Sequence, residues 1–447
     1  SAFQNLLFNI YISKQKRKNN IFFMGNVRQT SPLLIKLKED KNNVIIRIGE
    51  NIGKGIFTKY CDYYVTFNSY NDKDINEKLV NIKKELNIKF AKIKQDKNFK
   101  ESLFYKVNLY NIIEDYFENL FSDYFIKLIK YIEIIKKLNS KIDIVVTHND
   151  IIPFEKTIIK TSNNLGIPTL TMLEGFLSEK RIKNEKDYSL FLPFSSKKMA
   201  VYSENQKKAI ISNYKIPKDN ILVMGYPLFD IYYNTKPTTK QKIYHRYEIP
   251  LDKKILLYTA ERYSKNISER PTGGSFTQKQ IEKVYYELYK TIKEIPGLFL
   301  IIKNHPSGSL DKEIIDNLAK ELKVSNYVIT KDMDIYNLIN ASYAVITRQS
   351  TIGIETILVK KPLIVMDTYF DTDDTMGYTE FGASLHVRNP NELKSVLEVL
   401  LVNDNLKNKL EKNIKKFVKH HYSLNDGNSS LRMSKEIKEM INDRHFK

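Results

Sequence analysis

YAVITRQSTIGIETILVKKPLIVMD, residues 343–367, is a complete β-α-β unit. An apolar run ends at Thr347, a polar turn follows, a helical stretch covers 352–359, and a second apolar run closes the unit. Short unbroken apolar runs mark strands covered on both faces, and their alternation with helices marks a parallel sheet. The same pattern extends outward. Upstream lie KILLYTAERYS (254–264), a helix at 278–294, LFLIIKNHP (298–306), a helix at 311–322, YVIT (327–330) and a helix near 334–340. Downstream come a loop at 368–382, a short strand at 384–387 and helices at 390–401, 404–419 and 428–442.

The first half repeats the arrangement. Its strands are NIFFMG (20–25), NVIIRIG (43–49), CDYYVTFN (61–68), KIDIVVTHND (141–150), IPTLTMLEG (167–175), the start of AVYSENQKKAIISNY (200–214) and NILVMGYPLFD (220–230). Residues 74–140 are rich in Lys and Asn with helical periodicity, as at Leu109, Ile112, Ile113, Tyr116, Phe117, Leu120 and Phe121, and read as a helical insertion. TKPTTKQKIYHRYEIPLDKK (235–254) reads as a linker. The fold class is therefore α/β, with two Rossmann-like domains whose parallel sheets face across a cleft. The expected division is 1–234, 235–430, and a last helix, 431–447, placed to cross back onto the first domain.

Composition narrows the function. The 447 residues suffice for two or three domains, and no run approaches the ~18–20 apolar residues of a membrane span. The basic cluster near residue 17 follows the first apolar run, the reverse of a secretory leader. A single cysteine, Cys61, permits no intrachain disulfide, so a reducing, cytoplasmic compartment is expected. The net charge of +20 favours polyanionic partners, including an anionic membrane surface, although a Lys-rich compositional bias explains it equally well. Only 11 of the 72 basic residues are Arg, and Arg262, Arg270, Arg348, Arg388 and Arg432 all lie beside loops of the second half. Arg grips phosphate with a fork that Lys lacks.

Three strand ends carry candidate chemistry. Ser350 and Thr351 open a helix, where free N–H groups, the helix dipole and two hydroxyls suit a phosphate. Glu355, one turn on, can accept two hydrogen bonds from a ribose. An ordinary helix capped by Ser350 is the competing reading. Lys303 and His305, before Pro306, end the strand two earlier, where the imidazole can donate to a phosphate; a turn-capping His is the alternative. In the first half Glu174 ends a strand and Gly175 permits close approach of a substrate. A carboxylate there suits a general base for an acceptor hydroxyl, with His148 and Asp150 next in line, although a solvated loop Glu is as ordinary a reading.

The acidic-Gly pair Glu174-Gly175, then Lys303-x-His305-Pro306, then Ser350-Thr351-x-x-x-Glu355 with Lys361-Pro362, resembles the GT-B transferases of bacterial surface polysaccharides. It is most similar to the sialyltransferase, polysialyltransferase and capsule Kdo-transferase groups. AVYSENQKKAII through ILVMGYPLFD resembles a wider superfamily that includes teichoic-acid polymerases and UDP-GlcNAc 2-epimerases. The resemblance covers residues 143–435. It implies a GT-B glycosyltransferase without a cofactor or metal, using a nucleotide-sugar donor (a CMP-activated acidic sugar) and a glycan or lipid-linked acceptor, at the inner face of the membrane. By the same resemblance Glu174 is the base, His305 meets the donor phosphate, Ser350-Thr351 hold the nucleotide phosphate and Glu355 binds ribose. Leu173 departs from the pattern, since the transferases often carry a second acid there.

Other readings stay open. A CDP-alcohol phosphotransferase of teichoic-acid type would use the same donor site. A 2-epimerase needs paired acids where this chain has Glu355-Thr356. A non-catalytic basic binding protein is the third, but nothing marks specific nucleic-acid recognition: there is no Gly-Lys-Ser/Thr loop, zinc pattern or aromatic RNA motif. Asp371-Thr372-Asp373-Asp374 contains a D-x-D pattern and reads as an acidic loop, not a metal site. The turn Asn425–Arg432 is either a capping turn or the start of the crossing helix.

Overall fold

The computed structural model describes residues 2–14, 18–25, 27–50, 60–97, 103–104, 107–108, 122–173, 178–184, 194–260, 278–305, 312–331, 333–348, 350–366 and 376–445. The first domain is built on seven parallel strands: β1 (Asn19–Met24), β2 (Asn43–Gly49), β3 (Tyr63–Thr66), β6 (Ile144–Thr147), β7 (Thr169–Met172), β8 (Lys198–Val201) and β9 (Ile221–Val223). Their order is β3-β2-β1-β6-β7-β8-β9, and every pairing is parallel. Between β3 and β6, β4 (Leu103–Phe104) and β5 (Val107–Asn108) form a small antiparallel hairpin. Strand cores such as Ile21, Phe22 and Phe23 are fully buried, because helices cover both faces.

The second domain holds six parallel strands: β10 (Lys254–Thr259), β11 (Leu298–Lys303), β12 (Tyr327–Thr330), β13 (Ala344–Thr347), β14 (Leu363–Met366) and β15 (Leu385–Val387). Their order is β12-β11-β10-β13-β14-β15. In both sheets the winding reverses beside the first strand, between β1 and β6 and between β10 and β13. Ligands of open α/β sheets sit at such points.

Helices that bear on the site are α1 (Ala2–Lys14), α2 (Val27–Lys38), α3 (Lys73–Gln95), α4 (Ser122–Leu138), α5 (Pro153–Asn164), α6 (Glu179–Asn184), α7 (Glu204–Tyr214), α8 (Ile231–Asn234) and α9 (Lys240–Arg246) in the first part of the chain. The second part adds α10 (Gln278–Glu294), α11 (Lys312–Glu321), α12 (Ile335–Ala341), α13 (Thr351–Leu358), α14 (Leu393–Val402), α15 (Asp404–His421) and α16 (Ser429–His445). The stretch that reads as a linker carries α9. Its Ile243 and Tyr244 bury against Ile255, Leu257 and Val345 of the second sheet. Of the segment at 74–140, α3 and α4 are helical, and the periodic residues from Leu109 to Phe121 lie outside the described residues.

α16 packs on the first domain. Met433, Ile437, Met440 and Ile441 share one core with Ile21, Phe23, Leu33 and Leu34 of β1 and α2. Asp230 caps this helix, accepting the backbone N–H of Ser429 at 3.0 Å and of Ser430 at 2.7 Å. Arg432 holds Asp426 with two hydrogen bonds, 2.9 and 2.8 Å, and donates to the Met224 carbonyl at 3.0 Å. The Asn425–Arg432 turn is thus a structural joint among the described residues.

Candidate functional site

The switch point of the second sheet is where β10 and β13 lie side by side, joined at their ends by a 2.8 Å hydrogen bond from Thr259 Oγ1 to Thr347 Oγ1. Beyond Thr347 the chain turns through Arg348 into α13. Ser350 is the N-cap: its Oγ accepts from the Ile352 N–H at 3.3 Å, and its carbonyl accepts from the Tyr378 hydroxyl at 2.7 Å. Capping and phosphate binding are compatible, since one hydroxyl satisfies only one of the several free N–H groups of a helix start. Gly353 lies flat against the Tyr378 ring, where a Cβ would fall 2.7 Å from Cζ.

Glu355 is buried and accepts a hydrogen bond from the Tyr232 hydroxyl of α8. One carboxylate oxygen is engaged by the segment joining the domains. Lys303, at the end of β11, donates from its ammonium to the Lys331 carbonyl after β12. One contact of Lys303 is therefore with the outer strand. His305 is half-buried, one residue past Asn304. Asn304 was not singled out by its sequence. Its side-chain oxygen is buried without a hydrogen-bond partner among the described residues, one position before His305. β11 and β13 flank β10, so their ends stand about 10 Å apart at the usual strand spacing. That gap is of the order of a nucleotide diphosphate.

In the first sheet the switch point brings Gly25, after β1, onto His148, after β6. Gly25 has φ +135°, and a Cβ there would fall 2.3 Å from the His148 Cβ. His148 is fully buried, with Nε2 2.8 Å from the Tyr226 hydroxyl. Burial lowers its pKa to about 4, so the ring is neutral at neutral pH. Asp150 is buried, and that burial pushes its carboxyl upward; the Ser195 N–H donates to it and offsets part of the effect. Glu174, Gly175 and Arg262 lie outside the described residues, as does the Asp371–Asp374 acidic loop.

One aromatic cluster connects the two halves. Tyr202, Tyr226 and Phe229 of the first domain pack with Ile354 and Ile357 of α13 and with Tyr378, Phe417 and Tyr422. His148 and α13 thus rest on opposite sides of one core. A separate cavity of about 620 Å³, lined by Ser31, Tyr60, Asp230 and Asn428 among others, shares no residue with either switch point.

The family model described as CDP-Glycerol:Poly(glycerophosphate) glycerophosphotransferase matches residues 60–439. No curated protein matches the chain by sequence. Among solved structures, the fold is similar to the S. aureus MnaA-UDP co-structure, with TM-score 0.58, 15% identity, and coverage of 95% of this chain and 97% of that one. It is also similar to UDP-GlcNAc 2-epimerase from Neisseria meningitidis bound to UDP-GlcNAc, with TM-score 0.58, 14% identity and coverage of 96% and 100%. A structure of the wall teichoic acid polymerase TagF matches with TM-score 0.56, 14% identity and coverage of 100% and 95%. At these identities the likeness is one of fold: two α/β domains in a GT-B-like arrangement. The matched family is the glycerophosphotransferase one, not the sialyl-, polysialyl- or Kdo-transferase groups that the short motifs resemble.

Proposed function

Because the chain belongs to the CDP-glycerol:poly(glycerophosphate) glycerophosphotransferase family, we propose that it transfers an alcohol phosphate from a CDP-activated donor to a hydroxyl of a surface polymer or its lipid-linked precursor. The observation that carries this reading is the family match, which takes in five of the seven strands of the first sheet and the whole of the second sheet with its switch point. The acceptor oxygen attacks the distal phosphorus of the donor, a new phosphodiester forms, and CMP leaves. The acceptor proton passes to a base on the first domain.

The second domain supplies the donor side. The α13 N-terminus with Ser350 and Thr351, the side chains of Arg348 and His305, and Arg262 from the segment after β10 offset the diphosphate charge. Glu355, one turn into α13, takes the ribose hydroxyls in this reading. Glu174 is the acceptor-side base of this reading. His148, at the switch point of the first sheet, is the alternative, although the burial that lowers its pKa to about 4 makes it the weaker base. No helix among the described residues is long and apolar enough to cross a membrane. Charge attracts the protein to the anionic inner face, which flotation with anionic liposomes at low salt tests.

A second reading, glycosyl transfer from a CMP-activated sugar, is favoured by the order of the acidic-Gly, His-Pro and Ser/Thr motifs. Product chemistry separates the two. Phosphorus NMR on reactions with CDP-glycerol and with a CMP-sugar shows a new phosphodiester for the first reading. A glycosidic product with no phosphodiester removes it.

A further inference from the structure

Glu179 opens α6 in the first domain, and His420 and His421 end α15 in the second. The fold brings these three together, 241 positions apart. Glu179 Oε2 lies 2.9 Å from His420 Nε2, and Glu179 Oε1 lies 3.7 Å from His421 Nδ1. One ligand atom from each residue falls within 4.8 Å of the others. We infer that Glu179, His420 and His421 form a zinc-class metal site that bridges the two domains.

The donor set is the first argument. Two imidazoles and a carboxylate suit zinc, cobalt or nickel, whereas magnesium and calcium prefer oxygen alone. The spacing is the second. Zinc bonds of about 2.0–2.1 Å at tetrahedral angles put ligand atoms about 3.3 Å apart. The 2.9 and 3.7 Å contacts run to the two different carboxylate oxygens, and the three ligand atoms lie within 4.8 Å of one another, so side-chain shifts of up to about 1.5 Å bring them onto one ion. Access is the third. The His421 side chain is buried, while His420 and Glu179 are about one-third exposed, which leaves a path in and a fourth position for water.

The surroundings hold the rings in place. Phe381 packs against His420 and His421 with centroids 5.0 Å away in each case, and Phe417 lies 4.7 Å from His421. The Asn205 amide lies 3.1 Å from His420 Nδ1 and donates to the His420 carbonyl at 3.2 Å. Without metal this places the His420 proton on Nε2, toward Glu179. With metal on Nε2 the proton moves to Nδ1, and Asn205 turns its oxygen to receive it. The cost is the Asn205 bond to the His420 carbonyl and the Glu179–His420 hydrogen bond, which three metal–ligand bonds outweigh. No residue of the site belongs to either switch point. A bound ion would fasten the start of α6 to the last turn of α15.

The test uses the full chain after treatment with a chelator. Cobalt(II) is titrated with the visible d–d absorption as readout, and zinc by calorimetry. The expected result is one ion per chain, the absorption of a four-coordinate site, and zinc affinity tighter than about 1 μM. Glu179→Gln and His420→Asn should each weaken zinc by at least about 100-fold. Metal-free circular dichroism and melting establish that each variant is folded, and either folded variant suffices. No zinc binding at 100-fold excess over protein, or affinity unchanged in a folded variant, overturns the site and leaves a hydrogen-bonded Glu–His contact.

Discussion

Gly353→Ala perturbs the helix that carries the proposed donor phosphate, and the structure sets its size. The new Cβ would lie 2.7 Å from Tyr378 Cζ and 2.8 Å from both Cε2 and the hydroxyl. Carbon atoms pack at about 3.5–4.0 Å, so the ring must retreat by about 1 Å. It has little room: Tyr378 is fully buried and packs on Phe417 at 5.6 Å between centroids. Overpacking of this kind costs about 1–3 kcal/mol. Losing the bond from Tyr378 to the Ser350 carbonyl adds about 1 kcal/mol, and the better helix propensity of Ala returns about 1 kcal/mol. The expected net destabilisation is about 1–3 kcal/mol, read by thermal and urea unfolding. Calorimetry should show weaker CMP binding as the α13 N-terminus shifts. In a Tyr378→Leu background the same Gly353→Ala change should be neutral or stabilising, because the clash is gone. A Gly353→Ala protein that melts at or above the parent temperature with unchanged CMP affinity refutes the argument.

Ser350→Ala and His305→Ala should each weaken nucleotide binding by about 1–3 kcal/mol, and unchanged calorimetric affinity in both removes them from the site. Glu174→Gln should keep donor affinity and lower transfer by about 10²–10⁴-fold; near-normal turnover moves the base to His148 or Asp150. His148 is held neutral, with its pKa near 4 against an ordinary 6.5, so the unfolded chain takes up the proton first as pH falls. Stability is complete above pH 6.5, is lost on the way down to pH 4, and should drop by about 2 kcal/mol between pH 7 and 5 through this residue. A His148→Gln protein should lack that component, and parallel pH profiles for the two proteins would contradict it.

Much of the fold is legible because both sheets are parallel and covered. Leu298–Lys303 and Tyr327–Thr330 stand out as apolar runs for that reason, and their boundaries sit within a few residues of the pattern. Two helices are not legible. α9 offers only Ile243 and Tyr244 as buried apolar residues amid Lys, Thr and Pro, too little for periodicity to register. α1 has apolar residues without a clear stripe. Strand-end candidates are visible for a topological reason: a parallel sheet delivers its strand ends to one edge, Met24 and Thr147 in the first sheet and Lys303 and Thr347 in the second. Their partners are not visible. Tyr232 meets Glu355 across 123 positions, and Tyr226 meets His148 across 78. Lys303 shows the converse, since its strand end is readable but its turn toward Lys331 depends on tertiary contacts.

The packing of α16 has a consequence for synthesis on the ribosome. Phe23 is made early, but Met433, which closes over it, comes 410 residues later. At about 5–20 residues per second that interval is roughly 20–80 s. Throughout it the α2 side of the first sheet lacks its last covering helix, and Leu33, Leu34 and Ile21 wait without Met433, Ile437 and Met440. The second domain can close its own core from residues 243–410 in the meantime. The domain translated first is therefore the one finished last, and the nascent chain carries an open apolar groove until its final helix leaves the exit tunnel.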